Sequence, residues 1–408
     1  MNDEFDALVH EAFLAILDFK PDLATYVGLH QYDDNMPSAT RKAHTAFVKV
    51  LKDYIKKFQE IPAEDLSPTR KIDQKVMGSV LKYHLFEEDK IRRWEKDPDV
   101  TEIAGHTIFP LVAREYAPFD KRLESITARL AHYPHYIREF KSSLNSPVHL
   151  WVEMAKEACS NFPQFIQAIS TAAHQHGLDT AEVDEAAART VDAISEYAGW
   201  LSTVVCEGEP ALGEPLFEEL LHVRELGMTA DEILALGQHY LKKEKQRLNR
   251  LQSQLAPSED TATGSPYTFC DMIDDEKKAI AHVRELVSKK EFATLPENER
   301  LIVMETPSFL RHILPGAALF PAAKFEKEQM GIYFVTPPQK DVVKRPDFTS
   351  FLNVSVHEAY PGHHLQVVWA NQHPSLVRAL SQAPEFIEGW AHYCEERMRD
   401  YGLNDITS

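Results

Sequence analysis

Residues 356–366 read Val356-His357-Glu358-Ala359-Tyr360-Pro361-Gly362-His363-His364-Leu365-Gln366, and the rest of the chain is best read as what positions them. Three of the nineteen histidines fall within eight residues here, with a glutamate directly after the first. Zinc hydrolases commonly carry two histidines on one helix in the spacing H-E-x-x-H, with the glutamate serving as general base. Position 361 is a proline where the second histidine would stand. The question is whether Pro361-Gly362 breaks such a site or widens it.

Helix geometry narrows the answer. Each residue of a regular helix turns about 100° and rises about 1.5 Å, so residues four apart share a face. His357 and His364, seven apart, share a face but stand about 10.5 Å apart along the axis, a poor reach for one ion. His357 and His363, six apart, face different ways while the helix stays regular. Pro361 cannot donate to the carbonyl of His357 and its ring clashes with that carbonyl, while Gly362 tolerates almost any backbone setting. We expect a wide turn that absorbs two extra residues and returns His363 beside His357, with His364 the alternative. Satisfied histidines around a proline kink are the bland reading. Glu358 adjoins the first histidine without sharing its direction, as a base acting on a metal-bound water must.

Catalytic zinc takes three protein ligands and keeps a position open for water. Glu388, within Phe386-Ile387-Glu388-Gly389-Trp390-Ala391-His392-Tyr393, is the candidate third ligand. On a helical projection Glu388, His392, Glu395 and Arg399 form one narrow stripe. A solvated face of an amphipathic helix gives the same stripe; what favours Glu388 is Gly389, which would let another backbone approach. The only other His-Glu pair, His10-Glu11, is followed at the fourth position by Leu14, so it reads as ordinary helix surface.

Working outward, prolines at 307, 315, 321, 337, 338 and 346 interrupt a run of strand formers. Ile332-Tyr333-Phe334-Val335-Thr336, bounded by Gly331 and Pro337-Pro338, is the most convincing strand. It is either part of a small packed sheet or an edge strand able to hold an extended peptide. A helix is expected from Asp347 into His357, and a final one, opened by Pro384, from Glu385 to about Tyr401.

The first three hundred residues read as a helical array. Apolar residues recur at helical spacing from Glu4 to about Val27, interrupted at Pro21, and further helices are expected at about 38–60, 66–97, 120–142 and 147–175. Asp179-Thr180-Ala181-Glu182 and Thr229-Ala230-Asp231-Glu232 have the form of capping boxes opening helices to about 205 and 256. Ala256 to Thr268 reads as an exposed loop, followed by a helix at about 270–292. The run Lys242-Lys243-Glu244-Lys245 reads as a solvated helix face.

Composition bounds the function. The 408 residues carry a formal charge of −19, which argues against a nucleic-acid partner. The four cysteines, Cys159, Cys206, Cys270 and Cys394, are widely spaced and read as reduced thiols. The acidic N-terminus lacks a signal-peptide pattern, and no apolar run is long enough to cross a bilayer, so a soluble cytoplasmic protein without a membrane partner is expected.

At these motifs the chain resembles a known family. His357-Glu358-x-x-Pro361-Gly362-His363-His364-x-Gln366, followed by Glu388-Gly389-Trp390-Ala391-x-Tyr393-x-Glu395, is similar to the signature of the bacterial domain-of-unknown-function family eight-eight-five, grouped with zincin-like metallopeptidases. Residues 21–30 and 213–221 also resemble family stretches. More distantly, the layout is similar to thimet oligopeptidase, angiotensin-converting enzyme and carboxypeptidase Taq. The resemblance implies a mostly α, helical zincin-like metallopeptidase with a small β-sheet beside the active-site helix and a deep channel. It implies zinc on His357, His363 and Glu388, Glu358 as general base, and Glu395 holding a histidine ligand through its other ring nitrogen. Family members continue past the glutamate helix, so a chain ending at Ser408 is expected to lack part of the channel.

The expectation is therefore a helical shell over 1–300 and a zinc-site region over 301–408, acting on short peptides. Arg311 and Arg345 are candidate cations for a substrate carboxylate, should it be an exopeptidase. The alternatives are a helical binding or scaffold protein with a structural or vestigial metal site, and a zinc hydrolase of non-peptide amides or esters.

Overall fold

The computed structural model describes residues 2–254, 267–338, 348–381 and 383–403. The expected cap at Asp347, the candidate Arg345 and most of the expected loop after Ala256 lie outside these residues.

The chain begins with α1 (Asn2–Phe19) and α2 (Pro21–Tyr26), divided at Pro21 as its missing amide requires. His10 and Glu11 are exposed on α1. Next come α3 (Arg41–Gln59) and α4 (Pro68–Phe86), then a π-helical turn, Glu87–Ile91, that ends at Arg92 in the left-handed region. Two short helices, α5 (Glu102–Thr107) and α6 (Phe109–Ala113), lead into the long α7 (Phe119–Ser143), α8 (His149–Gln175) and α9 (Ala181–Leu201). The chain continues with α10 (Glu214–Val223), α11 (Ala230–Gln254) and α12 (Phe269–Lys289).

The three long helices are held by apolar stripes at spacings of three and four. Leu123, Ile126, Leu130, Tyr133 and Ile137 of α7 meet Val152, Ala155, Cys159, Phe162 and Ile166 of α8 and Val183, Ala186, Ile194 and Tyr197 of α9 in one core. The capping box at Thr229-Glu232 forms, since each side chain satisfies the other's backbone amide. The one expected at Asp179 does not. Thr180 is the cap position there, and Asp179 accepts instead from the amide of Ala181. A box absent from the sequence reading, Thr268 with Asp271, opens α12. Helix α11 buries none of its residues, and its lysine run is exposed as expected.

A three-stranded sheet follows, made of β1 (Glu299–Glu305), β2 (Ala317–Phe320) and β3 (Gln329–Val335), in the order β1-β3-β2. β3 pairs in parallel with β1 and antiparallel with β2. Of the two readings of this strand, the small packed sheet is the one found: β3 is the central strand and not an edge, and every residue from Gln329 to Val335 is buried. The reason lies in its composition. Side chains alternate between faces along a strand, and Gln329 to Val335 carries apolar residues on both, so both sides must be covered. Ile332 and Phe334 face the helical core, while Tyr333 and Val335 face a second core built on α12. The outer strands are β1 and β2.

Four helices close the described chain: α13 (Phe348–Glu358), α14 (His363–Gln372), α15 (Leu376–Leu380) and α16 (Pro384–Asp400). Leu352 and Val356 of α13 and Cys394 and Met398 of α16 join the second core with Val283 and Val287 of α12. The shell is tied to the sheet by Arg114, a buried guanidinium that donates to the carbonyl of Tyr26 at 2.7 Å and to that of Pro321, just beyond β2, at 2.9 Å.

Candidate metal centre

Helix α13 ends at Glu358 and α14 begins at His363, so the helix breaks over Ala359-Tyr360-Pro361-Gly362. The Tyr360–Pro361 peptide is cis. Gly362 caps α14, and its amide donates to the carbonyl of Val356 at 3.0 Å. A Cβ on Gly362 would fall 1.9 Å from the carbonyl oxygen of His357, so glycine is needed there for close approach.

The turn brings His363 beside His357, their ring centroids 4.7 Å apart and nearly perpendicular. Glu388 of α16 meets both: its Oε2 lies 3.4 Å from His357 Nε2 and 3.7 Å from His363 Nε2. Donor atoms of His357, His363 and Glu388 lie within 4.8 Å of one another. Two ring nitrogens and one carboxylate oxygen turned toward a common space repel unless a cation or a proton lies among them. That donor set, two imidazoles and a carboxylate, suits zinc.

His364 takes no part. Its ring is fully buried, with Nε2 3.0 Å from Oε2 of Glu299 on β1. Tyr360 donates to the same oxygen, while Arg284 of α12 donates to Oε1. Burial works to raise the Glu299 pKa, but the bonds from His364, Tyr360 and Arg284 prevail and hold it at about 2. Gly331 of β3 lies against the His364 ring, where a Cβ would stand 2.5 Å from Nδ1. The broken helix therefore sends the two histidines to different partners, His357 to Glu388 and His364 to Glu299.

Glu395 holds His357 from behind, its Oε1 2.7 Å from Nδ1, while Asn353 donates to its other oxygen at 2.6 Å. With Nδ1 protonated toward Glu395, the Nε2 lone pair faces Glu388 and His363. His392 also approaches Glu395, at 3.4 Å, so a second group of possible donors, His357, His392 and Glu395, shares the first histidine. The stripe of Glu388, His392 and Glu395 is thus turned to His357, although Glu388 remains 58% exposed. Gly389 plays no part in this approach, because nothing lies within 4 Å of where its Cβ would be. The contact comes from Trp390, whose indole donates to the carbonyl of Pro361 at 2.8 Å.

Glu358 accepts a hydrogen bond from the amide of Leu319 on β2 at 3.1 Å. Burial, aided by the nearby charge of Glu388 and opposed by His357 and that amide, raises its pKa to about 7. Burial and the neighbouring His357 lower that of His363. Arg311 is engaged with Glu305 and the carbonyl of Thr306. Of the residues missed from sequence, Asn353 stands four before His357, a helical spacing that could have revealed it. Glu299 and Arg284 carry no local signal.

No protein of curated description matches the chain. Two solved structures resemble it over 98% of its length and 78% of theirs. One is a "putative lipoprotein of unknown function" from Shewanella oneidensis, at 21% identity and a TM-score of 0.66. The other is a "putative lipoprotein" from Colwellia psychrerythraea, at 17% identity and a TM-score of 0.76. At these identities the likeness shows the fold. The family model "Bacterial protein of unknown function (DUF885)" matches residues 21–407, and the chain belongs to that family.

Proposed function

We propose that this chain is a zinc-dependent hydrolase that cleaves peptide bonds of short peptides with a glutamate general base. The observation that carries this reading is the convergence of His357 Nε2, His363 Nε2 and Glu388, with Glu358 next to the first ligand and fixed on its far side by the Leu319 amide. His357, His363 and Glu388 would hold the ion, which when bound polarises a carbonyl and acidifies water. Glu395 keeps His357 in the tautomer that presents Nε2. Glu358 takes the proton of the attacking water and returns it to the leaving amine.

The peptide-aligning role expected of β3 passes in this reading to β2, whose far side carries the Leu319 amide next to the base. An extended peptide lying beside β2 would run past Glu358. We place the protein in the cytoplasm, consistent with four free cysteines. Among the described residues, no helix is long and apolar enough to cross a membrane.

Elemental analysis tests the metal and a peptide library tests the reaction. About one zinc per chain is expected, lost on His357→Ala, with cleavage of short peptides by the loaded protein. A chain that takes up no zinc, or that binds it and cleaves no peptide, ends this reading.

A further inference from the structure

An expanded turn containing proline and glycine does not of itself hold its two ends at one distance, yet the ligand pair needs that distance fixed. Tyr360 enters the turn and His364 leaves it. Both bond the same oxygen of Glu299, which lies 61 and 65 residues earlier on β1. The second oxygen is held by Arg284 from α12 at 2.9 Å and 2.7 Å. The Glu299 side chain is only 1% exposed, and His364 is fully buried with Gly331 against its ring. Three separate segments, β1, α12 and the stretch 360–364, thus meet at one carboxylate.

We propose that Glu299 is a positioning residue for the metal centre, a staple across Pro361-Gly362 that fixes the start of α14 against the end of α13 and so fixes His363 relative to His357. This rests on the zinc reading above. His363 and His364 are consecutive residues of one helix, about 100° apart in direction, so anchoring the His364 ring sets the heading of the His363 ring. Glu395 sets the rotation of His357, and Glu299 sets where its partner stands.

The test uses Glu299→Gln, which keeps the size and removes the charge that Tyr360, His364 and Arg284 share. Leu51→Ala, in the separate core that α1, α3 and α4 form with Val377 of α15, serves as the destabilised control. Zinc affinity is measured by chelator competition well below the melting temperature. In the metal-free proteins, amide exchange is followed over residues 359–366. Glu299→Gln is expected to weaken zinc binding about 10–100-fold, the usual effect of losing a partner that orients a ligand, and to speed exchange across the turn. Leu51→Ala should do neither, and Tyr360→Phe should fall between Glu299→Gln and the native chain. Native-like exchange over 359–366 in Glu299→Gln overturns the staple, as does zinc affinity within about twofold of native. If the native chain binds no zinc, the functional reading fails by itself and the exchange arm still decides the staple.

Discussion

Glu395 and Leu319 grip neighbouring residues of one helix end from opposite sides: the carboxylate of Glu395 meets His357 Nδ1 at 2.7 Å, and the amide of Leu319 meets Glu358 at 3.1 Å. The proposed ligand and the proposed base beside it are thereby aimed by different elements, α16 and β2. Disturbing one should leave the other in place.

Glu358→Gln separates binding from chemistry. The glutamine can still accept from Leu319 but cannot take a proton. We expect zinc stoichiometry to be unchanged and kcat for peptide cleavage to fall by about 10²–10⁴. Parallel elemental analysis and steady-state kinetics check this. Loss of zinc together with activity would mean that Glu358 is a ligand.

His363→Ala and His364→Ala should diverge. Removing His363 takes away a donor facing Glu388, so zinc should be lost with little change in melting temperature. Removing His364 leaves Glu299 short of a buried partner, at a cost of about 1–3 kcal/mol. That variant should melt earlier and still bind metal, more weakly. Calorimetry paired with metal titration distinguishes the two.

Gly331→Ala adds a methyl 2.5 Å from His364 Nδ1 and 3.1 Å from Leu301. Neither the buried strand nor the buried ring has room to withdraw, so destabilisation of about 1–3 kcal/mol is expected. Urea denaturation at neutral pH measures it. A native midpoint would show that His364 can move aside.

Glu276 of α12 gives a pH signature of its own. Burial, with a smaller push from Asp275, raises its pKa from 4.5 to about 7 against the bond that Tyr333 donates. Between those values the folded chain holds a proton that the unfolded chain has released, so this group's contribution to stability falls as pH rises from 4.5 through about 7. Glu276→Gln keeps an acceptor for Tyr333 and cannot ionise. It should leave stability nearly unchanged at pH 4.5 and raise it at pH 8 by up to about 3 kcal/mol. Denaturation midpoints at the two pH values check the sign.

What the sequence disclosed was whatever repeats locally. The stripes of α7, α8 and α9 and the division at Pro21 are written in short-range spacing, as are the spread of the histidines and the stripe of α16. Those signals brought forward His357, His363 and, against the equally simple reading of a solvated stripe, Glu388; the place of Glu395 behind His357 came only with the family resemblance. What stayed hidden depends on pairing at a distance. The apolar run 329–335 is compatible with an edge or a central strand, and only β1 and β2 on its two sides decide which. Gly389 looked like a point of close approach because no local pattern showed that Trp390 makes the contact. The fate of His364 turned on Glu299 and Gly331, neither of which lies near it in sequence.

Because β3 presents Ile332 and Phe334 to one core and Tyr333 and Val335 to the other, it belongs to both at once. A cut ahead of the sheet would strip each piece of a wall, exposing side chains whose burial stabilises the fold by about 1.5–3 kcal/mol apiece. The shell and the ligand helices are therefore poor candidates for exchange as independent modules, and grafting the histidine turn into another protein would require the strand and its two-sided surroundings to travel with it.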